Sequence, residues 1–337
     1  MVPAPIWMMG HIENFWLAKG LVTALELKIA EHIQGGKNTI NQLAEVTQTN
    51  PDALFRLMRM LCTHDIFKLN KNGIYHLTNY SQVLVEGNGS VKYMLMSHLG
   101  KIHFDLFSEL DYTLKTGKNA ADKLFGKDIF SHIMENPVQQ ELFIKGMSNT
   151  SDLLAPVLLS AYDFSGYRHI IDIGGGYGNL LCNILTKHKQ LKATLFDLKH
   201  VVEKAAASME SFDLKDRIVI KDGSFFDELP GGGDLYILKN IMHDWNDENN
   251  IAILKNIHKT MPAGSKLLII ETIIRNDNNY SYGKMLDILM MLGTPDGRER
   301  TLDEYKNIID KSDFVVNKII PTISPFSLIE CVKKPDR

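Results

Sequence analysis

The chain has 337 residues, of which 45% are hydrophobic and 23% charged, and its formal net charge is −3 at pH 7. This length and composition are typical of a globular protein with a sizeable core and about two domains. The small negative charge gives no reason to expect nucleic acid or an anionic membrane as a partner.

The three cysteines, Cys62, Cys182 and Cys331, are far apart and form no CxxC pair. This spacing argues against a disulfide framework or a zinc site, so we expect no metal, and it favours a reducing cytoplasm. The N-terminus lacks the basic and apolar regions of a signal peptide. No uncharged apolar run reaches the roughly 20 residues of a membrane-spanning helix. We therefore expect a cytoplasmic enzyme or regulator.

Up to about Ser160 the apolar spacing predicts mainly helices. Residues 15–33 have apolar side chains every three or four positions, and a glycine pair follows as a stop signal. Two shorter helices come next, the second with Asn50 as its cap and Pro51 in its first turn. Strand-like runs around Asn72 and Gly73 then predict a hairpin. Helix, turn, helix and hairpin is the order of a winged helix.

A winged helix suggests DNA binding as one hypothesis. The second short helix offers Arg56 and Arg59, but Asp52 and Asp65 lie close to them in sequence. Binding to DNA phosphates needs a strongly basic surface. The composition therefore favours a helical scaffold or dimerisation module over a DNA-binding regulator.

From about Tyr167, five short apolar runs alternate with helix-like segments. The runs are HIIDIGG, KATLFDL, RIVIKDG, DLYILKN and KLLIIET. This alternation predicts a Rossmann-like, doubly wound α/β sheet with a mostly parallel core, joined to the helical half between Leu153 and Gly166. Ligands bind beyond the carboxyl ends of such strands, so the residues that follow each run are the candidate site.

The first strand end reads DIGGGYG and contains Gly174, Gly176 and Gly178. Glycines let the backbone turn tightly and approach a ligand, with a helix N-terminus behind it. Neither the dinucleotide motif GxGxxG nor a Walker loop is present. Asp172, just before the glycines, suits a cationic ligand better than a pyrophosphate. A purely structural turn is the alternative.

The next two strand ends suit an adenosine. Asp197 lies nineteen residues after Gly178 (197 − 178), a distance at which a carboxylate can bind both ribose hydroxyls. Gly223, Ser224 and Phe225 offer polar contacts and an apolar wall for an adenine. Each has a structural alternative, such as a helix cap or a core position. Three complementary strand ends together favour an adenosine-type cofactor.

The last two strand ends carry ionisable groups. The segment DLYILKNIMHDWNDE places His243 just after a strand, and LLIIETI places Glu271 in the next one. A methionine-rich helix then leads to Glu299 in an arginine-flanked loop. His243 alone would be read as a polar strand exit, but the two glutamates near the same crevice favour a reaction centre.

These motifs, in this order, resemble the S-adenosylmethionine-dependent O-methyltransferases of the caffeic acid and acetylserotonin type. The resemblance extends from before residue 20 to the C-terminus and includes the segment ELFIKGMSNTS. It implies a winged-helix-like dimerisation domain in residues 1–95 and a helical connector in 96–160 that contributes to the acceptor pocket. Residues 161–337 would form the Rossmann-like methyltransferase domain.

The resemblance also implies roles for individual residues. His243 would be the general base, oriented by Glu271 and Glu299. The implied cofactor residues are Asp172, Gly174, Gly176, Gly178, Asp197, Leu198, Gly223, Ser224, Phe225, Lys239 and Asp244. The implied acceptor residues are Phe143, Met147, Met290 and Thr294.

Four positions depart from the pattern of many members. Ser224 stands where aspartate is common, and Lys199 where proline is common. Thr150 and Thr294 stand where plant members often have histidine and asparagine. The cofactor assignment is unaffected by these changes, but the acceptor is left open.

The expected reaction is metal-independent methyl transfer from S-adenosylmethionine to a hydroxyl, with S-adenosylhomocysteine as the other product. We expect a phenolic hydroxyl on a small aromatic or polyketide-like natural product, and a homodimer formed through the N-terminal domain. One alternative is a relative that decarboxylates, hydroxylates or catalyses a pericyclic reaction. N-methylation is another, although a neutral amine hardly needs the base. His243, Glu271 and Glu299 favour O-methylation.

Overall fold

The computed structural model describes residues 3–87, 89–210 and 214–335. Packing divides the chain into two compact units. The first comprises Met1–Asp105 and Asn136–Thr150, and the second Leu106–Glu135 and Ser151–Arg337. The three-part division at residues 95 and 160 stays a prediction.

The first unit is mainly helical. Its complete elements are α1 (Ala4–Glu26), α2 (Ile29–Gln34), α3 (Ile40–Thr47), α4 (Pro51–Thr63), β1 (Phe67–Leu69), β2 (Tyr75–Leu77), α5 (Asn79–Gln82) and α6 (Lys92–His98). Two further helices, α7 (Lys101–Ser108) and α11 (Pro137–Ala161), continue from this unit into the second.

Residues 15–33, whose apolar spacing predicts helix, are divided between two helices in the structure. The first begins earlier, at Ala4, and the chain breaks at Lys28, which has a left-handed backbone (φ 53°). The break lets both Leu25 and Ile29 lie in the core, where they are 2% and 0% exposed. Local sequence does not show it, since lysine favours helices.

The winged-helix order is present in the first unit. Thr39 begins α3 with a reciprocal capping box, and the Asn50 side chain accepts a hydrogen bond from the Ala53 N–H at the start of α4. The hairpin β1–β2 is antiparallel, with Phe67 opposite Leu77. A shared apolar core joins these elements, and each large side chain buried there contributes about 1.5–3 kcal/mol. Its most buried members include Ile29, Leu43, Met58, Leu61 and Phe67.

The second unit contains the sheet. Its helices are α8 (Leu110–Thr116), α9 (Ala120–Phe125), α10 (Ile129–Glu135), α12 (Asn179–Lys187), α13 (Lys199–Glu210), α14 (Asp247–Thr260), α15 (Tyr282–Gly293) and α16 (Leu302–Lys311). Its strands are β3 (His169–Ile173), β4 (Lys192–Asp197), β5 (Ile218–Asp222), β6 (Leu235–Lys239), β7 (Lys266–Ile274), β8 (Arg300–Thr301), β9 (Phe314–Pro321) and β10 (Phe326–Lys333).

The strand order is β5-β4-β3-β6-β7-β10-β9, with the short β8 beside β7. The five predicted strands, β3 to β7, all pair in parallel, which confirms the doubly wound core. The chain proceeds outward from β3 and then returns to start β6 on the other side of β3. Ligands bind at such a switch point, beyond the carboxyl ends of the strands.

The C-terminal strands β9 and β10 are antiparallel to their neighbours and were not predicted. Their Val- and Ile-rich runs, separated by Pro and Ser, were the available signal. β10 covers the edge of β7, so the strand that carries Glu271 is fully enclosed.

No helix in the described part of the chain is long and apolar enough to cross a membrane.

Candidate active site

The turn after β3 requires glycine at two positions. Gly174 and Gly178 have φ values of +69° and +74°. A Cβ at Gly174 would lie 2.4 Å from Ile241 Cδ1, and one at Gly178 would lie 2.1 Å from Met209 Cε. Gly176 also has a positive φ, +60°, but a Cβ there would meet no atom of the described residues within 4 Å. The turn is therefore tightly packed against the protein at Gly174 and Gly178, and it faces open space at Gly176.

Asp197, at the end of β4, faces this turn. Its Oδ2 accepts a hydrogen bond from the Gly176 N–H at 2.8 Å, and its Oδ1 accepts one from the Leu198 N–H at 2.7 Å. Burial raises the pKa of Asp197, while these two hydrogen bonds oppose the rise. Each oxygen keeps a further lone pair, so the carboxylate can still accept from a pair of hydroxyls. The neighbouring Leu198 is 48% exposed.

The third strand end lies beside the second. The Gly223 N–H donates to the Asp197 carbonyl at 3.0 Å, and Ser224 Oγ accepts from the Phe226 N–H at 3.2 Å. The Phe225 ring meets Trp245 edge to face, with centroids 5.7 Å apart. An apolar aromatic wall thus joins the third and fourth strand ends.

Two buried ionisable groups lie behind the glycine turn. Burial raises the pKa of Asp172 to about 7, although Lys239 opposes the rise. Burial lowers the pKa of Lys239, against the attraction of Asp172 and Glu271. Lys239 Nζ also donates to Ser151 Oγ at 3.3 Å.

These groups fit S-adenosylmethionine. The open space above Gly176 leaves room for a ligand close to the backbone, and Asp197 has acceptors for ribose hydroxyls. The aromatic wall suits a purine face, and the carboxylate of Asp172 suits a cationic ligand.

His243 lies in a 3₁₀ turn, Met242–Asp244, just after β6. Its Nδ1 is 2.8 Å from Glu299 Oε1 and 3.9 Å from Glu271 Oε2. Glu271 Oε1 accepts hydrogen bonds from the backbone N–H groups of Ile241 and Met242, at 2.9 and 2.8 Å. One glutamate therefore holds the ring, and the other holds the backbone that carries it.

Further contacts orient Glu299. The Thr272 hydroxyl donates to Glu299 Oε2, and the Glu299 N–H donates to Asp287 Oδ1 at 2.8 Å. Glu271 and Glu299 are 0% and 1% exposed, and His243 is 8% exposed. The three ionisable side chains therefore form a buried cluster.

Electrostatics within this cluster favour a protonated imidazole. Burial alone lowers the pKa of His243, but Asp244, Glu271 and Glu299 together raise it to about 10. Burial raises the pKa of Glu271 to about 7 and that of Asp244 to about 6, and His243 opposes both shifts. Asp244 Oδ1 lies 3.6 Å from His243 Nε2, and neither this oxygen nor Glu271 Oε2 has a hydrogen-bond partner within the described residues.

His243, Glu271 and Glu299 also offer atom types that bind cations, with one candidate atom from each within 4.8 Å of the others. However, His243 Nδ1, Glu271 Oε1 and both Glu299 oxygens already take part in hydrogen bonds. These bonds fix the orientation of all three side chains.

The four predicted acceptor residues are divided between the units. Met290 and Thr294 lie at the C-terminal end of α15 and are 6% and 3% exposed. The Thr294 hydroxyl donates to the Met290 carbonyl at 2.8 Å and accepts from the Gly297 N–H at 2.9 Å. Phe143 and Met147 lie on α11 in the first unit. Acceptor contact by these residues stays a prediction.

Sequence reasoning missed Arg300 and Asn250. Both are 0% exposed, and their side chains bind backbone carbonyls of the turn that carries His243. A side chain that binds backbone carbonyls leaves no periodic pattern in the sequence, because every residue has a carbonyl. The only signal was the position of Arg300 next to Glu299.

A doubly wound sheet that brings together this glycine turn, the carboxylate of Asp197 and a carboxylate-bound histidine is the arrangement expected of an S-adenosylmethionine-dependent methyltransferase. Residues 107–315 match the family model for the O-methyltransferase domain, and residues 9–87 match that for the O-methyltransferase dimerisation domain. The chain belongs to this O-methyltransferase family.

Relatives extend the match over nearly the whole chain. The phenazine O-methyltransferase PhzM of Lysobacter antibioticus is 32% identical, over 98% of this chain and 96% of the relative. The crystal structure of LaPhzM covers 98% of this chain and 100% of its own, at 31% identity and a TM-score of 0.93. NcsB1 from neocarzinostatin biosynthesis was solved with S-adenosylhomocysteine and 1,4-dihydroxy-2-naphthoic acid. It is 28% identical with a TM-score of 0.77, and 94% of this chain and 95% of NcsB1 are covered.

The protein is thus an S-adenosylmethionine-dependent O-methyltransferase that carries an O-methyltransferase dimerisation domain. The expected activity and cofactor are confirmed, and the non-methylating and DNA-binding alternatives gain no support.

Gly176→Ala should weaken cofactor binding more than folding. The added methyl has no atom of the described residues within 4 Å, so its folding cost is backbone strain of about 1–2 kcal/mol. Because it enters the open space above the turn, we expect the Kd for S-adenosylmethionine to rise about tenfold or more. This corresponds to a loss of at least about 1.4 kcal/mol of binding free energy. Isothermal titration calorimetry measures this. Gly232→Ala is the matched control, with φ +87° and equally open space. Equal Kd values in the two variants would place the cofactor elsewhere.

Glu299→Gln should lower the pKa of His243. The substitution removes a negative partner that raises the pKa, so the imidazole should lose its proton at lower pH than in the wild type, where its pKa is about 10. A pH titration followed by NMR with carbon-13-labelled histidine measures this, with the exposed Glu203→Gln as control. An unchanged His243 titration would contradict the assigned contact.

Proposed function

We propose that the enzyme methylates a phenolic hydroxyl of a small aromatic natural product, with His243 as the general base. The observation that carries this proposal is the bond between His243 Nδ1 and Glu299, 2.8 Å long. A neutral imidazole whose Nδ1–H donates to a carboxylate presents the lone pair of Nε2 as its basic site. His243 therefore has one nitrogen for orientation and one for proton transfer.

A phenol needs such a base. With a pKa near 10, only about one phenol in a thousand is ionised at neutral pH. Nε2 of His243 accepts the hydroxyl proton as the oxygen becomes a nucleophile, a contribution of about 10²–10⁴-fold to the rate. The imidazolium that forms is stabilised by Glu299 and Glu271, as in a catalytic triad but without a covalent intermediate.

In this proposal the residues at the strand ends bind the cofactor. The turn from Gly174 to Gly178 would hold the methionine part, Asp197 the ribose, and Ser224 and Phe225 the adenine, with Lys239 and Asp172 behind. When bound, S-adenosylmethionine supplies an electrophilic methyl group on a sulfonium. Asp244 lies beside His243 Nε2, and its Oδ1, which has no hydrogen-bond partner among the described residues, suits a hydrogen-bond donor on either ligand.

The raised pKa of His243 has a consequence for the reaction. An imidazole with a pKa of about 10 carries a proton at neutral pH and must lose it before it can act as a base. Activity should therefore rise with pH as His243 is deprotonated.

The names of the relatives support an aromatic acceptor. PhzM is a phenazine O-methyltransferase, and NcsB1 was solved with a dihydroxynaphthoic acid. The acceptor of this chain can be identified by mass spectrometry of candidate phenols incubated with isotopically labelled S-adenosylmethionine.

His243→Ala should bind cofactor normally but lose about 10²–10⁴-fold in turnover of a phenol. The reason is that the variant keeps every strand-end residue and loses only the proton acceptor. Calorimetry with S-adenosylmethionine and product quantification by mass spectrometry measure the two effects. The exposed His64→Ala serves as control. Turnover equal to that of the wild type would refute the base assignment.

We also infer that the chain forms a homodimer through its dimerisation domain. Helix α1 has large apolar side chains exposed on several faces, a surface that marks a protein interface. Those more than half exposed are Ile6, Trp7, Met8, Met9, Ile12, Phe15 and Trp16.

The paired substitution Trp7→Asp and Trp16→Asp should convert the dimer into a monomer, because it puts two carboxylates into an apolar contact. Sedimentation velocity at micromolar concentration measures this. Tyr280→Asp is the control, since Tyr280 is an aromatic residue that is 86% exposed in the other unit. A wild-type monomer would contradict the inference.

We propose a cytoplasmic location as well. All three cysteines are free thiols, and Cys182 and Cys331 are buried, which suits a reducing compartment.

A further inference from the structure

The guanidinium of Arg300 is completely buried beneath the turn that carries His243. Its Nη1 donates to the Met242 carbonyl at 2.8 Å and its Nη2 to the Trp245 carbonyl at 2.7 Å. Its Nε donates to Asp247 Oδ1 at 3.0 Å. Two prongs of one rigid group thus hold the carbonyls on either side of the base.

Other groups hold the same turn. Asn250 Nδ2, from α14, donates to the Met242 and Trp245 carbonyls, each at 2.9 Å. The Arg298 N–H donates to the carbonyl of His243 itself at 2.8 Å. A carbonyl oxygen has two lone pairs, so each can accept from both Arg300 and Asn250.

The segment that supplies Arg300 also supplies the carboxylate that holds the ring. Glu299 bonds the imidazole of His243, and the next residue, Arg300, bonds the backbone on both sides of it. Two consecutive residues, Glu299 and Arg300, therefore fix the imidazole ring relative to the carboxylate that it contacts. A shift of the turn alone would break both sets of bonds.

Stability alone does not account for this guanidinium. Burying a charge costs several kcal/mol unless it is fully paired, and apolar side chains of similar volume often serve as well. The ion pair with Asp247 is weakened by solvent, since the Asp247 side chain is 44% exposed. What Arg300 provides beyond an apolar residue is its two bonds to the turn.

We propose that Arg300 is a positioning residue for catalysis, which fixes the general base against its carboxylate through the carbonyls of Met242 and Trp245. The proposal rests on the proposed role of His243. A displacement of about 1 Å at a reacting group can cost about 10²-fold in rate, so a loosened turn should impair turnover while cofactor binding persists.

The test is Arg300→Lys, which keeps the charge but cannot reach both carbonyls as a fork. We expect kcat per cofactor-binding site to fall about 10–100-fold, with the Kd for S-adenosylmethionine within about twofold of wild type. The His243 resonance should titrate at lower pH, because the ring no longer lies tightly against Glu299. Arg217→Lys is the matched control, since Arg217 Nη1 likewise donates to backbone carbonyls, those of Leu185 and His188, at 3.0 and 3.2 Å, and these lie outside the turn that carries His243.

Counting active sites by calorimetry separates this role from simple destabilisation, which lowers the number of sites but not kcat per site. If Arg300→Lys does not fold, Asn250→Ala tests the same turn from the other side and should lower kcat per site in the same direction. The proposal is overturned if the folded variant, Arg300→Lys or else Asn250→Ala, keeps kcat per site and the His243 titration of wild type. A fully active His243→Ala would instead refute the base assignment itself.

Discussion

The proposed active site depends on one buried hydrogen bond, between His243 Nδ1 and Glu299. Inside a protein such a bond is stronger than in water, and leaving either partner unpaired is costly. It fixes the orientation of the imidazole ring, and it places a carboxylate beside Nδ1. The neighbouring Glu271 holds the backbone of the same turn through its Oε1. Both glutamates are buried, so solvent does little to weaken their interactions with the turn and with the ring.

The sheet brings these groups together. β6 and β7 are parallel neighbours, so the turn after β6 and Glu271 near the end of β7 lie at the same edge. The pair β7–β8 brings Arg300, and with it Glu299, to that edge from a distant part of the sequence. The glycine turn after β3 and Asp197 after β4 lie on the other side of the switch point. The sheet thus brings the proposed proton acceptor and the proposed cofactor residues to the same edge.

The sequence predicts the ends of the parallel strands well, because short apolar runs that alternate with helices are typical of a parallel α/β sheet. His243, Glu271 and Asp197 follow directly from that pattern. It does not predict the break at Lys28, where tertiary packing overrides a helix-favouring residue, or the antiparallel strands β9 and β10. Arg300 and Asn250 were missed for another reason, since their partners are carbonyls that every residue possesses. The raised pKa of His243 depends on three carboxylates that only the fold brings together.

The central claim is that His243 removes the proton from the acceptor hydroxyl. The most direct measurement compares wild type and His243→Ala on a series of phenols whose ring substituents make them progressively more acidic, at fixed pH. Without the base only phenol that is already ionised reacts, so the variant should recover activity steeply as the phenols become more acidic, while the wild type depends on acidity only weakly. Equal dependence on phenol acidity in both proteins would contradict the claim.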